Sequence, residues 1–243
     1  MTRKSVVREK VQQQIFAQYA SLDLQNKLYQ VKALKLAQKY LGKKKQVKLL
    51  DIGCSDGSFA QYAGRLLKAK TYGVDIAAGA IKQAKIRLGV AIQHDGADKL
   101  PFPDKSFDLI FALEIIEHIY DTDFFVAEIR RVLKVGGKLI LSTPNLASLK
   151  NRLKLLINGY PQYLEYSTTG AGHIHLYTSP VLSAQLQQNR FEVIELRSAN
   201  FVAPWVTNRR APMLYRQIAS KLGDYLPTLG SHLIVVAGYT KGI

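Results

Sequence analysis

Short apolar runs alternate with amphipathic segments between residues 47 and 142. Because glycine or polar residues bound each apolar run, the pattern predicts buried strands. The predicted strands are Val47–Ile52, Tyr72–Ile76, Val90–Gln93, Phe107–Leu113 and Lys138–Ser142. The segments between them have helical spacing, and the predicted helices are Ser58–Lys68, Ala77–Leu88 and Asp123–Leu133. Asp121 or Thr122 can cap the last helix, and Gly136–Gly137 is predicted to end it.

The alternation of strands and helices predicts an α/β fold whose parallel sheet is covered by helices on both faces. Continuously apolar strands such as KLLDI and LILS fit burial on both faces. After Ser142 the regular alternation of strands and helices ends. The later predicted elements are a helix over Thr178–Asn189 and strands over Phe191–Arg197 and Leu233–Tyr239. Residues 6–40 predict two helices broken near Ser21–Asp23, so residues 1–42 would be a helical extension of one domain spanning 1–243.

The chain is strongly basic, with 34 lysines and arginines against 18 acidic residues and a formal net charge of +16. Such an excess favours anionic partners, namely nucleic acid, an acidic membrane surface or a phosphorylated substrate. A solvated basic surface accounts for the charge as well. The basic residues are scattered along the chain rather than gathered in one tail, so nucleic-acid binding is the less favoured interpretation.

Cysteine content and hydropathy point to the cytoplasm. The single cysteine, Cys54, excludes an internal disulfide framework and suits a reducing compartment. No apolar run approaches the roughly 20 residues that span a bilayer. The N-terminal segment lacks the apolar core of a signal peptide. We therefore expect a cytoplasmic protein.

The stretch Asp51–Gly57, with sequence DIGCSDG, lies between a predicted strand and a predicted helix. In an open parallel sheet, ligands bind at the carboxyl ends of the strands. Glycine permits positive φ and lets a ligand approach the main chain closely. The turn is therefore predicted to hold a ligand flat against the backbone.

Two further strand ends carry suitable polar groups. Asp75 ends the second strand, 18 residues after Gly57, which is where a ribose diol would be hydrogen-bonded. A cap for the helix that follows is the structural alternative, and both roles can coexist. At the end of the third strand, Asp95 can accept from an exocyclic amine, while the amide of Gly96 or Ala97 can face a ring nitrogen.

These motifs together resemble class I S-adenosylmethionine-dependent methyltransferases. The resemblance runs in order over residues 47–145 and rests on DIGCSDGSF, YGVDI, HDGADKLPFPDKSFDLI, LEIIEHI and RRVLKVGGKLILSTPN. The segment PDKSFDLIFALEIIEHI is typical of the branch, of methyltransferase type 11 or 23, that methylates small molecules, quinones, lipids and sugars. Nucleic-acid base N-methyltransferases usually carry an Asn/Asp-Pro-Pro-Tyr/Phe segment after strand four, where this chain has Ala112–Ile115.

The resemblance implies S-adenosylmethionine as the cofactor and a role for each motif. The resemblance implies that the methionine moiety is lined by Asp51, Gly53, Cys54 and Gly57. Asp75 and Ile76 would hold the ribose and the adenine edge, Asp95 and Gly96 the adenine, and Leu113 and Glu114 the region near the sulfonium. The family often has a third glycine where this chain has Ser55, whose small side chain we expect to be tolerated. Cys54 is interpreted as a small buried hydrophobe rather than a nucleophile.

The family fold also ends in an antiparallel hairpin, which the last two predicted strands supply. The resemblance thus implies a seven-stranded, doubly wound, mostly parallel sheet with a C-terminal antiparallel hairpin. Residues 145–177 and 200–230 would be lid elements over the cofactor mouth. The segment after residue 143 is similar to methyltransferase-like proteins of the methionine-biosynthesis type and to methyltransferases of glycan or lipid biosynthesis.

Methyl transfer to oxygen needs a base near the acceptor, and histidine suits neutral pH. The candidates are His118, His173 and His175, with Tyr163, Tyr166 and Tyr177 shaping the pocket. A purely structural role is the alternative for each histidine. His173 and His175 would point the same way from an extended chain and can form a metal-binding pair. The sequence shows no evident third ligand, so no metal site is predicted.

The predicted activity is methyl transfer to a small-molecule, lipid or glycan acceptor, at oxygen. The rival enzyme is an RNA or protein methyltransferase, which the net charge favours. A cofactor-binding regulatory partner with little catalysis is the other alternative. The basic amphipathic segment around Lys150–Lys154 can contact an anionic surface or serve as a lid helix. The oligomeric state is left open.

Overall fold

The computed structural model describes residues 28–42, 44–162, 172–199, 222 and 224–239. Its strands are β1 Lys48–Ile52, β2 Lys70–Asp75, β3 Val90–Gln93, β4 Phe107–Leu113, β5 Leu133–Pro144, β6 Glu192–Ala199 and β7 His232–Gly238. Its helices are α1 Leu28–Leu41, α2 Ser58–Leu67, α3 Ala78–Arg87, α4 Thr122–Val132, α5 Leu149–Asn158 and α6 Ser179–Gln188, with a 3₁₀ helix at Ile116–His118. The first predicted N-terminal helix, Tyr163, Tyr166 and most of the predicted lid 200–230 lie outside the described residues.

All seven strands form one sheet in the order β3-β2-β1-β4-β5-β7-β6. The first five are parallel, and β7 runs antiparallel between β5 and β6. Helices cover both faces, so the central strands are buried on each side; all but the last residue of β4 are buried. The predicted seven-stranded, mostly parallel sheet with a C-terminal antiparallel pair is confirmed.

The strand order places a crevice at one edge of the sheet. The chain winds outward from β1 to β2 and β3, then returns to add β4 on the other side of β1. The ends of these strands are level, since Ile52 pairs with Val74 on one side and with Ala112 on the other. Loops leaving β1 and β4 diverge to opposite faces, which opens the ligand crevice typical of doubly wound sheets.

The prediction for Gly136–Gly137 is wrong. Helix α4 already ends at Val132, and both glycines lie inside β5. Strand β5 begins early because Leu133 pairs with Phe107 of β4, and the register between the two strands then shifts. The Gly136 amide donates to the carbonyl of Tyr239. Gly136 has φ +77, so the glycine serves an irregular strand rather than a helix end. The predicted cap is present, because the Asp121 side chain accepts from the Phe124 amide at 2.9 Å.

Helix α1 docks against the C-terminal strands through a buried lysine. Lys32 Nζ donates to the carbonyl of Ser198 at 2.6 Å and to Asp224 Oδ1 at 2.7 Å. The small residues Ala33 and Ala37 are buried against the sheet. This helix therefore belongs to the packed domain.

Helix α5 carries the basic amphipathic segment, but the apolar side chains of its last turn are exposed. Leu156 is 81% exposed and Ile157 77% exposed. Its start is capped by Ser148, which accepts from the Asn151 amide. Within the described ranges, no helix combines the length and the apolar character required to cross a bilayer.

Candidate active site

The glycine turn after β1 is built from left-handed backbone. Gly53 and Gly57 both have φ +77, and Ser55 between them has φ +50. A Cβ on Gly53 would lie 3.0 Å from Ile115 Cδ1, and one on Gly57 would lie 3.0 Å from Leu88 Cγ. Both positions therefore require glycine for conformation and for space. The turn stays narrow and free of large side chains, which suits a ligand lying along the backbone.

Asp75 ties this turn to the tip of β2. One carboxylate oxygen accepts from the Ser55 amide and the other from the Ala77 amide, each at 2.8 Å. Burial raises the pKa of Asp75, and the amide hydrogen bonds oppose that effect. The Ala77 amide precedes the first residue of α3, Ala78, so Asp75 holds the turn before the helix and does not cap the helix itself. Each oxygen has a second lone pair, so a ribose contact is compatible with these bonds.

Cys54 lies behind the turn rather than in the crevice. The side chain is 3% exposed, and burial strongly raises the pKa of the thiol. A Cβ added to Gly73 on β2 would lie only 2.7 Å from the sulfur, so Cys54 fills a gap that this glycine leaves. The cysteine behaves as a small buried apolar residue, as the sequence predicts.

The turn after β3 comes close to the glycine turn. The Asp95 carboxylate accepts from the Ala97 amide at 3.0 Å. A Cβ on Gly96 would lie 3.2 Å from Ile52 Cγ2 and 3.5 Å from Ile115 Cδ1. The Ile115 side chain therefore contacts the turns after β1 and β3 at once, and the predicted cofactor residues of three strands converge at this edge.

Glu114 marks the point where the chain leaves β4. Its backbone has φ +55, and its amide donates to the carbonyl of Ser142 at 3.0 Å. The Ser142 hydroxyl donates to Glu114 Oε1 at 2.6 Å, and His232 Nε2 lies 3.6 Å from Oε2. Left-handed backbone is uncommon at a non-glycine residue, and at Glu114 it turns the chain sharply where β4 ends.

Glu117 is the acidic residue that the sequence reasoning missed. Its side chain is 1% exposed, and Oε2 accepts from the Thr143 hydroxyl at 3.0 Å. Among the residues that the structure describes, Oε1 has no hydrogen-bond partner. Burial, and then the neighbouring Glu114 charge, raise the pKa of Glu117. The available signal was its position in LEIIEHI, directly before His118 and three residues after Glu114.

Two of the three predicted histidines lie beside Glu117. His118 Nε2 is 4.0 Å from Glu117 Oε1, and the rings of His118 and His173 are 4.9 Å apart. Burial, together with His173, lowers the pKa of His118 to about 4. The pKa of His173 is also lowered, by burial and then by His232. One ring nitrogen of each histidine and one carboxylate oxygen of Glu117 all lie within 4.8 Å of one another.

A short backbone strap, residues 172–177, brings His173 to this place. The amides of Ile174 and His175 both donate to the carbonyl of Glu117, at 2.8 and 3.1 Å. His175 Nε2 lies 3.2 Å from the carbonyl of Tyr120. The tertiary arrangement thus joins His173 to His118 and Glu117, rather than to His175 as the local spacing suggests. Tyr177 is buried, and its hydroxyl donates to Gln185.

Part of the chain is similar to known methyltransferase sequences. Residues 50–141 match the family described as "Methyltransferase domain". A probable chloroplastic tocopherol O-methyltransferase of Oryza sativa subsp. japonica is 26% identical over 228 residues, which cover 82% of this chain and 59% of that protein. A ubiquinone biosynthesis O-methyltransferase of Bartonella bacilliformis is 36% identical over 41% of this chain and 42% of its own length. The chain thus spans about half the length of these curated relatives.

Solved structures share the fold at low identity. A crystal structure from Thermotoga maritima, described as an S-adenosylmethionine-dependent methyltransferase and possible histamine N-methyltransferase, superposes with a TM-score of 0.66. The superposition covers 95% of this chain and 99% of the other at 17% sequence identity. At that identity the likeness concerns the fold.

Proposed function

We propose that this chain, which carries a class I S-adenosylmethionine-dependent methyltransferase domain, transfers a methyl group from S-adenosylmethionine to a hydroxyl oxygen of a small-molecule or lipid-like acceptor. The observation that carries the proposal is the position of the Glu117–His118–His173 cluster. The residues just before it, Glu114 and Ile115, adjoin the crevice formed by the turns after β1 and β3.

The cradle suits the cofactor on its own geometry. Two left-handed glycines leave space that any Cβ would fill, and a carboxylate stands at the tip of the neighbouring strand. We assign the methionine moiety to Asp51, Gly53, Cys54 and Gly57. The ribose is assigned to Asp75 and Ile76, and the adenine to Asp95 and Gly96. Cys54 would contribute through its backbone, since its thiol is buried. Leu113 and Glu114 then lie nearest to the sulfonium.

When bound, S-adenosylmethionine supplies an activated methyl group, so that a C–O bond forms in line as the C–S bond breaks. The work left to the protein is positioning, exclusion of water and removal of the hydroxyl proton. We assign the acceptor hydroxyl to the space beside Glu117, His118 and His173. These side chains orient its oxygen and favour loss of its proton. His175, whose ring faces the Tyr120 carbonyl, remains a candidate for supporting this arrangement.

The proposal is tested by product chemistry. Purified protein, labelled S-adenosylmethionine and a panel of phenols, catechols, hydroxylated fatty acids and glycans are incubated, and products are identified by mass spectrometry. A methyl ether is the expected product. His173→Ala should lower turnover while leaving affinity for S-adenosylhomocysteine unchanged. Methylation at nitrogen or carbon, or full turnover by His173→Ala, would overturn the assignment.

An RNA methyltransferase is the second candidate, and the net charge of +16 is the observation that favours it. Binding to RNA through phosphate contacts weakens steeply with salt. Fluorescence anisotropy with labelled RNA at rising salt, followed by a methylation assay on the same RNA, separates the candidates. Salt-sensitive binding together with methylated RNA would favour this alternative over a small acceptor.

A further inference from the structure

We propose that Glu117, His118 and His173 bind one divalent metal cation, with one carboxylate and two imidazoles as ligands. The cation site is inferred from these three side chains and does not depend on the proposed function. Its use, to hold and acidify the acceptor hydroxyl, rests on the proposed function.

The three ligand atoms are already gathered. They lie within 4.8 Å of one another, and His118 Nε2 is 4.0 Å from Glu117 Oε1. Ligands bound at about 2.1 Å from a cation are separated from each other by about 3–3.5 Å. The widest separation would have to shrink by about 1–2 Å for all three to bind one ion.

A second observation points into the same space. Glu117 Oε1 is buried without a hydrogen-bond partner among the described residues, whereas Oε2 accepts from the Thr143 hydroxyl. Leaving a buried carboxylate oxygen unpaired is costly, because its desolvation is not offset. In the described part of the chain, the ion-pair contact of Glu117 is His118 at 4.0 Å, which is too long for a hydrogen bond. A cation between the two groups would satisfy this oxygen.

The ligands are held in place by their surroundings. The Glu117 carbonyl accepts from two amides of the strap, which keeps His173 over the short helix that carries His118. The His118 ring hydrogen-bonds to the carbonyl of Gly172. Hydrogen bonds of this kind orient the ring of a ligating histidine. The neighbouring Glu114 adds negative charge beside the site, which further favours a cation.

The donor set indicates the class of ion. Two imidazoles and a carboxylate suit first-row divalent transition metals such as Mn²⁺, Fe²⁺, Co²⁺ or Zn²⁺, whereas Mg²⁺ prefers oxygen ligands. Three protein ligands leave coordination positions open. An acceptor hydroxyl bound there would lose its proton to solvent more readily, because the cation would stabilise the alkoxide or phenolate. The oxygen would then form a bond to the methyl carbon as the C–S bond breaks, and S-adenosylhomocysteine would leave.

The test measures metal binding directly. Protein stripped with a chelator is titrated with Co²⁺ and followed by visible absorption, and Zn²⁺ and Mg²⁺ are then added as competitors. We expect one Co²⁺ per chain, displaced by Zn²⁺ at much lower concentration than by Mg²⁺. Glu117→Gln and His173→Ala should each weaken Co²⁺ binding at least about 10-fold. His175→Ala removes an imidazole from the same strap and should change Co²⁺ affinity less than about twofold.

Two readouts keep this inference separate from the proposed function. Each variant is titrated with S-adenosylhomocysteine, and unchanged affinity shows that it has folded. Metal-free protein that binds S-adenosylhomocysteine but takes up neither Co²⁺ nor Zn²⁺ refutes the cation site alone. Wild-type Co²⁺ affinity in His173→Ala also refutes it. Metal binding without any binding of S-adenosylhomocysteine would leave the cation site standing and refute the methyltransferase proposal.

Discussion

Replacing Asp75 with alanine should weaken binding of S-adenosylhomocysteine and destabilise the fold at once, because this carboxylate has two sets of partners. Its two oxygens accept from the backbone amides of Ser55 and Ala77, each at 2.8 Å. In the proposed complex the same oxygens also accept from the ribose hydroxyls. The variant therefore removes a ligand contact and loosens the turn that carries other ligand contacts.

Both effects can be given a magnitude. Loss of one or two hydrogen bonds to ribose corresponds to roughly 1–3 kcal/mol, or a rise of about 5- to 150-fold in the dissociation constant. A hydrogen bond to a charged group contributes about 1.5–3 kcal/mol to stability. Asp75 is half-buried and water can replace part of each amide contact, so the lower end of that range applies. The expected loss of unfolding free energy is about 3 kcal/mol for the two amides together.

A matched control separates affinity from stability. Asp108 is a buried carboxylate near the start of β4, at the opposite edge of the sheet from the crevice. It accepts from the Lys48 amide at 2.9 Å and pairs with Lys44 and Lys134. Calorimetric titration with S-adenosylhomocysteine and urea unfolding should show that Asp108→Ala loses stability only, whereas Asp75→Ala loses stability and affinity. Wild-type affinity in Asp75→Ala, or equal weakening in both variants, would refute the ribose assignment.

Three further predictions concern the sheet edge and the core. Gly57→Ala should lower the free energy of unfolding by about 1–2 kcal/mol in urea melts, because φ is +77 and a Cβ would press on α3. The control is Gly79→Ala, which should be neutral or stabilising because the space around its Cβ is open. Cys54 should react with a thiol reagent only after unfolding, since burial raises its pKa; rapid labelling of native protein would contradict this. Burial alone would raise the pKa of Asp108, but hydrogen bonds from Lys44 and two other donors lower it overall. Its stabilising effect is thus present above pH about 4 and lost as pH falls further. Wild type and Asp108→Asn should therefore differ in melting temperature at pH 7 by an amount that shrinks as the pH is lowered below about 4. A difference that stays constant with pH would show that Asp108 is not the titrating group.

The alternation of short apolar runs with helices was sufficient to predict the sheet, because continuous burial of central strands leaves a strong local pattern. The glycine turn was predictable for the same reason, because the strand before it and the helix after it each had a clear hydrophobic pattern. The region of Gly136–Gly137 was predicted wrongly. Glycine usually stops a helix, but pairing between Phe107 and Leu133 decided the outcome here. That pairing depends on partners distant in sequence, which local propensity does not encode.

The cluster around Glu117 shows the same limit at the site. Local spacing coupled His173 with His175, because alternate residues of an extended chain share a face. The strap instead binds through its amides to the Glu117 carbonyl, and that contact selects His173 as the neighbour of His118. The sequence supplied the candidate side chains, while a backbone contact between separate segments determined which of them meet.

Two consecutive residues of β5 explain how the short segment 114–117 can contact both the cofactor and the acceptor in the proposed complex. The hydroxyl of Ser142 donates to Glu114, and the hydroxyl of Thr143 donates to Glu117. Successive side chains of a strand point to opposite faces, so the two carboxylates, only three residues apart in the sequence, are held by hydroxyls on opposite faces of β5. The left-handed backbone of Glu114 turns the chain sharply enough at the end of β4 to permit this, at a cost of about 1–2 kcal/mol. Under the proposed function, that strain is retained because it separates a carboxylate for the cofactor from a carboxylate for the acceptor.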